Sequence, residues 1–453
     1  MSVELGFETI GNATVTVFDS GKPILATDPW ISGCPYFGSW THKYQIPKIQ
    51  KENIFNAKFF WISHGHPDHL DIDSLNQIRA SKILIPDHFG SRVYNDLKRL
   101  NFDVQIIKSN CKMKLTKNIS IKSFSDYNQD AALLIDIAGK DLIVNLNDGS
   151  LRGVRHNVVE QISKFKNRFM LRLVGAIDAD MVNFYDINGN FLNHSYLSKK
   201  NYFGLIYSML MQKYNCNYSI PFSSFHQYQR EDSCHMNQYI KPVEDHTEGF
   251  DKKKGAMLPP FIIWDSQKES YKKIKPKKKH NIIKPASDFG DSWSDELNKN
   301  DVHLIGDYFQ KIKTIKRHIG VIHFNCGGKI NSITISKSKN EILFEVPRNS
   351  LINAVKYKVF DDLLIGNFMK TTLINLKDLY PYFTPNIAKY SDNGGVSNQK
   401  EFNKYLMYYF ENAPSKYQFM KQRVIENLEK NIRYRLQDTV LYESAKYVYK
   451  IFS

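Results

Sequence analysis

Cysteine is scarce and scattered in this sequence. The 453 residues include five cysteines, Cys34, Cys111, Cys216, Cys234 and Cys326, and no two of them are spaced as C-x-x-C. An odd, widely separated set of this kind indicates neither a disulfide framework nor a zinc ribbon. We therefore expect the protein to work in the reducing environment of the cytosol.

Long hydrophobic runs are also lacking. A helix needs about 20 consecutive apolar residues to cross a bilayer, and no segment approaches that length. The first residues, MSVELGFETIG, include an acidic side chain and have no apolar signal core. The sequence thus predicts a cytoplasmic protein without a membrane span.

Acidic residues are too few to balance the basic ones. Asp and Glu number 46 and Lys and Arg 62, which gives a formal charge of +16. Much of the excess lies in residues 252–254 and 272–280 (KKIKPKKKH), and short runs of this type are typical of solvated loops. The basic residues are not interleaved with aromatic ones along a groove-forming element, which argues against a nucleic-acid partner. The remaining charge favours an anionic small-molecule substrate, for example a phosphorylated or nucleotide-linked compound.

The first third of the chain alternates short β-branched or aromatic runs with turn residues. These runs predict strands at residues 13–18, 23–28, 58–63, 82–86, 104–108 and 132–139. Apolar residues at helical spacing predict helices over 91–100 and 158–169. Strands mixed with helices in this order indicate an α/β or α+β layered domain.

Composition divides the remainder of the chain. A stretch rich in Lys, Pro, Asp and Ser predicts a connection over residues 251–300. It would separate a catalytic domain, residues 1–250, from an accessory domain, residues 301–453, that is α+β and then helical. Within the accessory domain, residues 302–313 (VHLIGDYFQKIK) have strand character, as do GVIHFN, SITISK and EILFEVP. A helix is predicted to begin near Leu351, and residues 401–449 are predicted to be mostly helical. The accessory domain shows no cluster of His, Asp or Cys, so we expect it to shape the substrate site or mediate oligomer contacts.

The strongest signal for chemistry is KFFWISHGHPDHLD, in which a strand ends in three imidazoles and a carboxylate within six residues. A strand end followed by a tight turn directs His64 and His66 toward one point, and Asp68 and His69 toward a second point nearby. Imidazoles bind Zn, Fe or Mn, and a carboxylate suits the harder of these ions. The loop therefore predicts two divalent metal ions, Zn or Fe or else Mn, holding a hydroxide between them.

This motif resembles the metallo-β-lactamase superfamily, which implies an αββα sandwich for residues 1–250. The resemblance also implies that Asp148, after the strand DLIVNLN, bridges both metals, and that Asp28 in ILATDPW holds a ligating histidine from the second shell. It gives Asp68 and Asp148 the catalytic positions.

Two ligand positions stay open under this resemblance. The superfamily usually has a histidine before the hairpin that leads to Asp148, whereas this chain has Asp126 and Asp130. Asp126 either replaces that histidine as a metal ligand or caps a turn. The last ligand is His226 or His235, and we favour His226 because it ends an apolar run directly.

The chain has a closer resemblance to the non-Rieske part of CMP-N-acetylneuraminate hydroxylase, loosely over residues 20–370. This resemblance rests on four segments: DPW, ALLIDIAGKDLIVNLND, the final strand containing PF, and VFDDLLIG. The Rieske centre of those hydroxylases needs C-x-H and C-x-x-H ligand pairs. No cysteine here has a histidine at either spacing, so the hydroxylase activity does not carry over. The ligand class, a nucleotide-sugar or similar anion, is what the resemblance still implies.

The leading function is hydrolysis of an anionic small molecule by a metal-bound hydroxide in a binuclear centre. The alternative is a non-haem di-iron oxidase or oxygenase related to CMP-N-acetylneuraminate hydroxylase, because Asp126 in a histidine's place gives a ligand set that resembles iron sites. A binding protein with a degenerate site is a third class, which the intact ligand set argues against. The sequence determines neither the substrate, nor the metal, nor the oligomeric state.

Overall fold

A computed structural model of the chain describes residues 3–78, 81–149, 151–174, 177–192 and 203–436. The strands of the first half are β1 (Leu5–Ile10), β2 (Thr14–Asp19), β3 (Lys22–Thr27), β4 (Trp40–His42), β5 (Phe59–Trp61), β6 (Lys82–Pro86), β7 (Val104–Ile107), β8 (Lys112–Lys114), β9 (Ile119–Ser125), β10 (Ala131–Ile137), β11 (Asp141–Asn147), β12 (Asn167–Arg172), β13 (Phe184–Tyr185), β14 (Tyr218–Pro221) and β15 (His226–Tyr228). The later strands are β16 (Ala256–Met257), β17 (Ile262–Asp265), β18 (Ser270–Lys273), β19 (Val321–Cys326), β20 (Lys329–Thr334), β21 (Glu341–Glu345) and β22 (Lys370–Ile374). The α-helices are Lys48–Phe55, Ile72–Asn76, Arg92–Arg99, Arg155–Ile162, Phe203–Lys213, Lys299–Lys311, Arg348–Tyr357, Phe360–Ile365, Gln399–Asn412 and Lys416–Leu436.

Two large sheets form the first part of the chain. The first has the strand order β18-β17-β1-β2-β3-β5-β6-β7, and the second has the order β16-β14-β12-β11-β10-β9-β8. In the first sheet β3, β5, β6 and β7 run parallel to one another, so their carboxyl ends meet at one edge. That edge is where the loops after β3 and β5 come together.

Three apolar layers hold this part together. Residues from both sheets, among them Phe7, Val15, Ile121 and Leu133, share one buried cluster, which shows that the sheets pack face to face. Further clusters join the first sheet to helices 48–55 and 92–99, and the second sheet to helices 155–162 and 203–213. The order of layers is helix, sheet, sheet, helix, which confirms the predicted αββα sandwich.

Two local predictions were wrong. The helix predicted over 158–169 ends at Ile162, and Phe169 lies in β12 instead, because Asn167–Arg172 is a buried strand parallel to β11. Residues 302–313 were expected to be a strand but belong to helix Lys299–Lys311. A capping box, in which the side chains of Asn298 and Asp301 bond to each other's backbone N–H, fixes the start of that helix.

The second unit is built on a further sheet of order β13-β22-β21-β19-β20. Helices 299–311, 348–357 and 360–365 contribute to its core together with Phe324, Phe344 and Phe383. The two units share strands across the predicted boundaries: β13 comes from the first 250 residues, whereas β17 and β18 come from the predicted connection and extend the first sheet.

The chain then continues as helices 399–412 and 416–436, as the sequence predicts for this region, and residues 437–449 of that prediction lie outside the described residues. Tyr405, Tyr409 and Phe419 from these helices pack against Tyr127 of the first unit. Among the described residues, no helix combines the length and apolarity needed to cross a membrane.

Candidate metal centre

The metal-binding motif lies at the carboxyl end of β5. Asp28, which follows β3, has a positive φ of 41°, a conformation that Asp and Asn adopt more readily than most residues. Its Oδ1 accepts a hydrogen bond of 2.7 Å from the backbone N–H of Ser63. The N–H groups of His69 and Leu70 donate to the carbonyl of His66 at 3.0 and 2.7 Å and so close a turn. These hydrogen bonds hold the loop in its shape without the help of a metal ion.

One group of ligand atoms forms around Asp148. Its Oδ2 lies 3.7 Å from Nε2 of His64 and 3.3 Å from Nε2 of His69. Asp68 Oδ2 lies 3.1 Å from the same His69 nitrogen. His64, His69 and Asp68 are buried, whereas the Asp148 side chain is 29% exposed, so the group is open to solvent on the side of Asp148.

A second group of ligand atoms forms around His66. Its Nε2 lies 3.1 Å from Oδ2 of Asp361, and Asp362 also has a carboxylate oxygen within reach of the same point. Nδ1 of His66 lies 2.8 Å from Nε2 of His64, which brings the two groups together. The expectation that residues 301–453 hold no aspartate cluster was wrong. The sequence signal that could have revealed this cluster is the pair of adjacent aspartates at the start of helix Phe360–Ile365, within VFDDLLIG.

Several side chains that the sequence reasoning missed fix Asp68. The Tyr36 hydroxyl donates to its Oδ1 at 2.5 Å, and Asn12 Nδ2 donates to its Oδ2 at 2.9 Å. Both donors come from loops at the edge where β3 and β5 end. They orient the carboxylate toward His69, which is the usual task of groups that surround metal ligands.

His69 is held from its other side. Its Nδ1 lies 3.5 Å from Asp28 Oδ2 and 2.9 Å from Nδ2 of Asn147. Asn147 ends β11 with a positive φ of 50° and also reaches Asp28. Because Nδ1 faces these partners, Nε2 is directed toward Asp68 and Asp148.

The electrostatics of the site are dominated by close carboxylates. Burial alone would lower the pKa of His66, but Asp361 and its neighbours raise it to about 9. The pKa of His69 is raised well above its usual value by Asp68 and Asp148, against the effect of burial. Burial and the neighbouring carboxylates raise the pKa of Asp180 to about 6. A buried set this rich in negative charge is suited to cations.

Comparison with known proteins gives partial matches. No protein-family profile matches the chain. A stretch of 72 residues, 16% of this chain, is 28% identical to cytidine monophosphate-N-acetylneuraminic acid hydroxylase of Danio rerio, and 140 residues, 29% of the chain, are 26% identical to the protein of that name in Asterias rubens. The matches span 12% and 20% of those relatives' own lengths.

Solved structures of similar chains include metalloenzymes. Igni18, a metallo hydrolase from Ignicoccus hospitalis, has a TM-score of 0.34 and 14% identity over 60% of this chain and 99% of its own. CmlA, a diiron β-hydroxylase from Streptomyces venezuelae, has a TM-score of 0.37 and 12% identity over 58% of this chain and 55% of its own. Similarities this low transfer no activity. The layer order and the position of the histidine loop, both described above, define the architecture. The first unit has the metallo-β-lactamase fold.

Within this fold, Asp126 directly follows β9, in the turn that leads to β10. Among the described residues, neither Asp126 nor Asp130 belongs to a convergent group of metal-ligand atoms. Asp126 Oδ1 accepts a hydrogen bond of 2.7 Å from the backbone N–H of Asn128, as in the turn-capping alternative. Burial and then Asp130 raise its pKa to about 7. Its role as a ligand stays a prediction.

His226 is buried next to the candidate metal centre. Its ring stacks on Trp40 with centroids 3.4 Å apart, and the Asp68 carboxylate acts on its pKa, which burial lowers to about 3. Among the described residues, neither ring nitrogen has a hydrogen-bond partner. Buried imidazole nitrogens without partners suit metal coordination. His235 is exposed, and the choice between the two histidines stays a prediction.

Proposed function

We propose that this protein is a binuclear metal-dependent hydrolase of an anionic small molecule. The observation that carries the proposal is the convergence of His64 and His69 on Asp148, the exposed member of that group. A substrate can approach from the side of Asp148, while the other ligand atoms stay shielded from water.

The ligand groups suggest how two ions would be held. One would bind to His64, His69 and Asp148, and the other to His66 with Asp361 and Asp362. Asp68 and His226 would complete the first of these sets. Imidazoles mixed with carboxylates accept zinc, iron or manganese.

Such ions, when bound, lower the pKa of a water ligand and polarise a substrate oxygen. The chain's own residues provide the positioning. Asp28 Oδ2 and Asn147 Nδ2 lie 3.5 and 2.9 Å from Nδ1 of His69, which keeps its Nε2 directed at the centre. Asp148 faces both imidazoles and solvent, so its carboxylate can accept a hydrogen bond from the attacking water and orient it.

The substrate class rests on charge and on the relatives. The chain carries a net charge of +16. The two hydroxylases that match part of the chain are named for an anionic nucleotide-sugar, cytidine monophosphate-N-acetylneuraminic acid. A phosphorylated or nucleotide-linked compound therefore fits best. The free cysteines favour the cytoplasm as the place of action.

The test combines metal analysis with isotope labelling. Protein reconstituted with zinc, iron or manganese would be assayed against chromogenic phosphate esters, carboxyl esters and amides in water enriched in 18O. We expect two metal equivalents and one labelled oxygen per product. Asp148→Asn should lose turnover, whereas Asp186→Asn, at an aspartate outside both ligand groups, should retain it. Turnover that consumes dioxygen and leaves the product unlabelled by water would overturn the proposal.

A second candidate is a non-haem di-iron oxidase or oxygenase. Its specific support is the pair Asp361 and Asp362 beside His66, because added carboxylates favour harder ions such as iron. Aerobic purification without chelators should then yield two irons per chain and an oxygen-dependent absorption band. A protein that holds only zinc after expression in iron-rich medium would eliminate this candidate.

A further inference from the structure

A basic cavity lies beside the paired strands β4 and β15. It has a volume of about 620 Å³, and its wall includes Lys43, Lys278, Lys279, His280, Asn281 and His226. Small-molecule pockets typically have volumes of roughly 300–1,000 Å³. Within the described part of the chain, this wall contains no acidic residue. Its size and charge therefore suit a small anionic ligand.

The lysines of the cavity lie on backbone that is fixed in place. The N–H of Lys279 donates to the carbonyl of Lys43 at 2.8 Å, and the N–H of Gln45 donates to the carbonyl of Lys277 at the same distance. A β-bridge between Tyr44 and Lys278 joins the same two segments. The basic run that the sequence indicates as a solvated loop thus lies beside residues 43–45, which follow β4, and its side chains at 278–280 are exposed.

The positive charge of the cavity is not neutralised by ion pairs. Within the described residues, no carboxylate lies within salt-bridge distance of Lys43, Lys278 or Lys279; Lys279 Nζ donates instead to Thr41 Oγ1 at 2.9 Å. The pKa of Lys43 is lowered by burial and then by the Lys278 ammonium group, and Glu244 opposes this only at longer range. Adjacent cations without counterions attract an anion.

The inner wall is rigid and polar. The His226 ring is fully buried and stacked on Trp40, and Asn281 Nδ2 donates to the carbonyl of Tyr228 at 2.9 Å. The carbonyl oxygen of the Asn281 side chain has no partner among the described residues. It can therefore accept a hydrogen bond from a ligand hydroxyl.

We propose that this cavity binds the phosphate group of a phosphorylated small molecule. A phosphate dianion offers three acceptor oxygens, which matches several ammonium donors better than a single carboxylate does. Asn281 and the remaining volume would receive the organic part. The cavity adjoins the candidate metal centre through His226, but its lysines belong to neither group of metal-ligand atoms. Binding at the lysines therefore does not depend on the proposed hydrolysis.

The test is calorimetric titration of the metal-loaded protein with ribose 5-phosphate, with ribose as the uncharged control. We expect ribose 5-phosphate to bind and ribose not to bind. The double variant Lys43→Gln, Lys278→Gln should weaken binding about tenfold or more, since each lost charge-assisted hydrogen bond has an effect of that order. The matched control Lys275→Gln, Lys277→Gln removes the same charge from the same run outside the cavity and should change affinity less than about threefold.

Each other outcome contradicts the proposal. Equal weakening in both double variants would show general surface attraction, and unchanged affinity in both would place the phosphate elsewhere, for instance at the metals. Absence of binding by the unmodified protein at millimolar ligand would also overturn it. If the Lys43 variant does not fold, as judged by circular dichroism, Lys278→Gln alone removes an exposed side chain and provides the same comparison with Lys277→Gln.

Discussion

The imidazole of His66 and the carboxylate of Asp361 are 295 positions apart in the chain and 3.1 Å apart in space. The first belongs to the loop after β5 and the second to a helix of the second unit. Through this contact the second unit reaches into the candidate metal centre.

Asp361→Asn is expected to reduce bound metal from two equivalents to about one, because the amide lacks the charge that a metal ligand supplies. Elemental analysis after reconstitution with cobalt, together with its visible absorption, measures this without an activity assay. Asp307→Asn, at a half-exposed position on helix Lys299–Lys311, is the control and should keep both ions. Two equivalents in Asp361→Asn would mean that the second unit supplies no ligand.

Asp28→Asn tests the support of His69. Removing a group that orients a ligating histidine typically weakens metal affinity about 10- to 100-fold. Asparagine keeps the shape of the side chain and tolerates the positive φ at this position. Competition with a chromogenic chelator measures the change. The chelated variant should unfold at nearly the same temperature as the chelated parent; a large drop would instead indicate a folding role.

Asp126 allows a test by pH. Its pKa in the folded protein is about 7, above the usual 3.8, because burial and Asp130 disfavour the charged form. Its contribution to stability is therefore fully present below pH 3.8 and is lost as the pH rises toward and through 7. Asp126→Asn removes this ionisation, so the melting temperature of the variant relative to the parent should rise between pH 5 and pH 8. A variant that loses a metal equivalent would show that Asp126 is a ligand.

Arg230 is expected to be a stabilising contact between the two units. Its buried guanidinium lies 2.8 Å from Asp291 and stacks over Phe368, and Asp291 also accepts from Ser350. Arg230→Met leaves the Asp291 carboxylate buried without its cationic partner, which should lower the free energy of unfolding by about 3–5 kcal/mol. Urea unfolding measures this loss. Adding Asp291→Asn should restore part of it, and no recovery would mean that the packing on Phe368 dominates.

Local sequence patterns predicted much of the first unit correctly. Alternating and β-branched runs located β2, β3, β5, β6, β7 and β10 within a residue or two, because these strands are bounded by turn residues. The hydrophobic pattern did not distinguish helix from strand where the apolar residues fit both spacings, as at Phe169 and over residues 302–313. There the pairing of β12 and the cap at Asn298 determined the outcome.

The sequence by itself determined the histidine loop, since His64, His66, Asp68 and His69 lie within one turn after one strand and their proximity needs no long-range contact. The resemblance to the metallo-β-lactamase superfamily pointed to Asp28 and Asp148, and their part in a metal site stays a prediction. Only the tertiary structure brought Asp361 to His66 and left Asp126 in a turn of its own. Contacts between residues hundreds of positions apart depend on how the units pack. That packing is determined by buried surfaces to which many segments contribute, and no local motif predicts it.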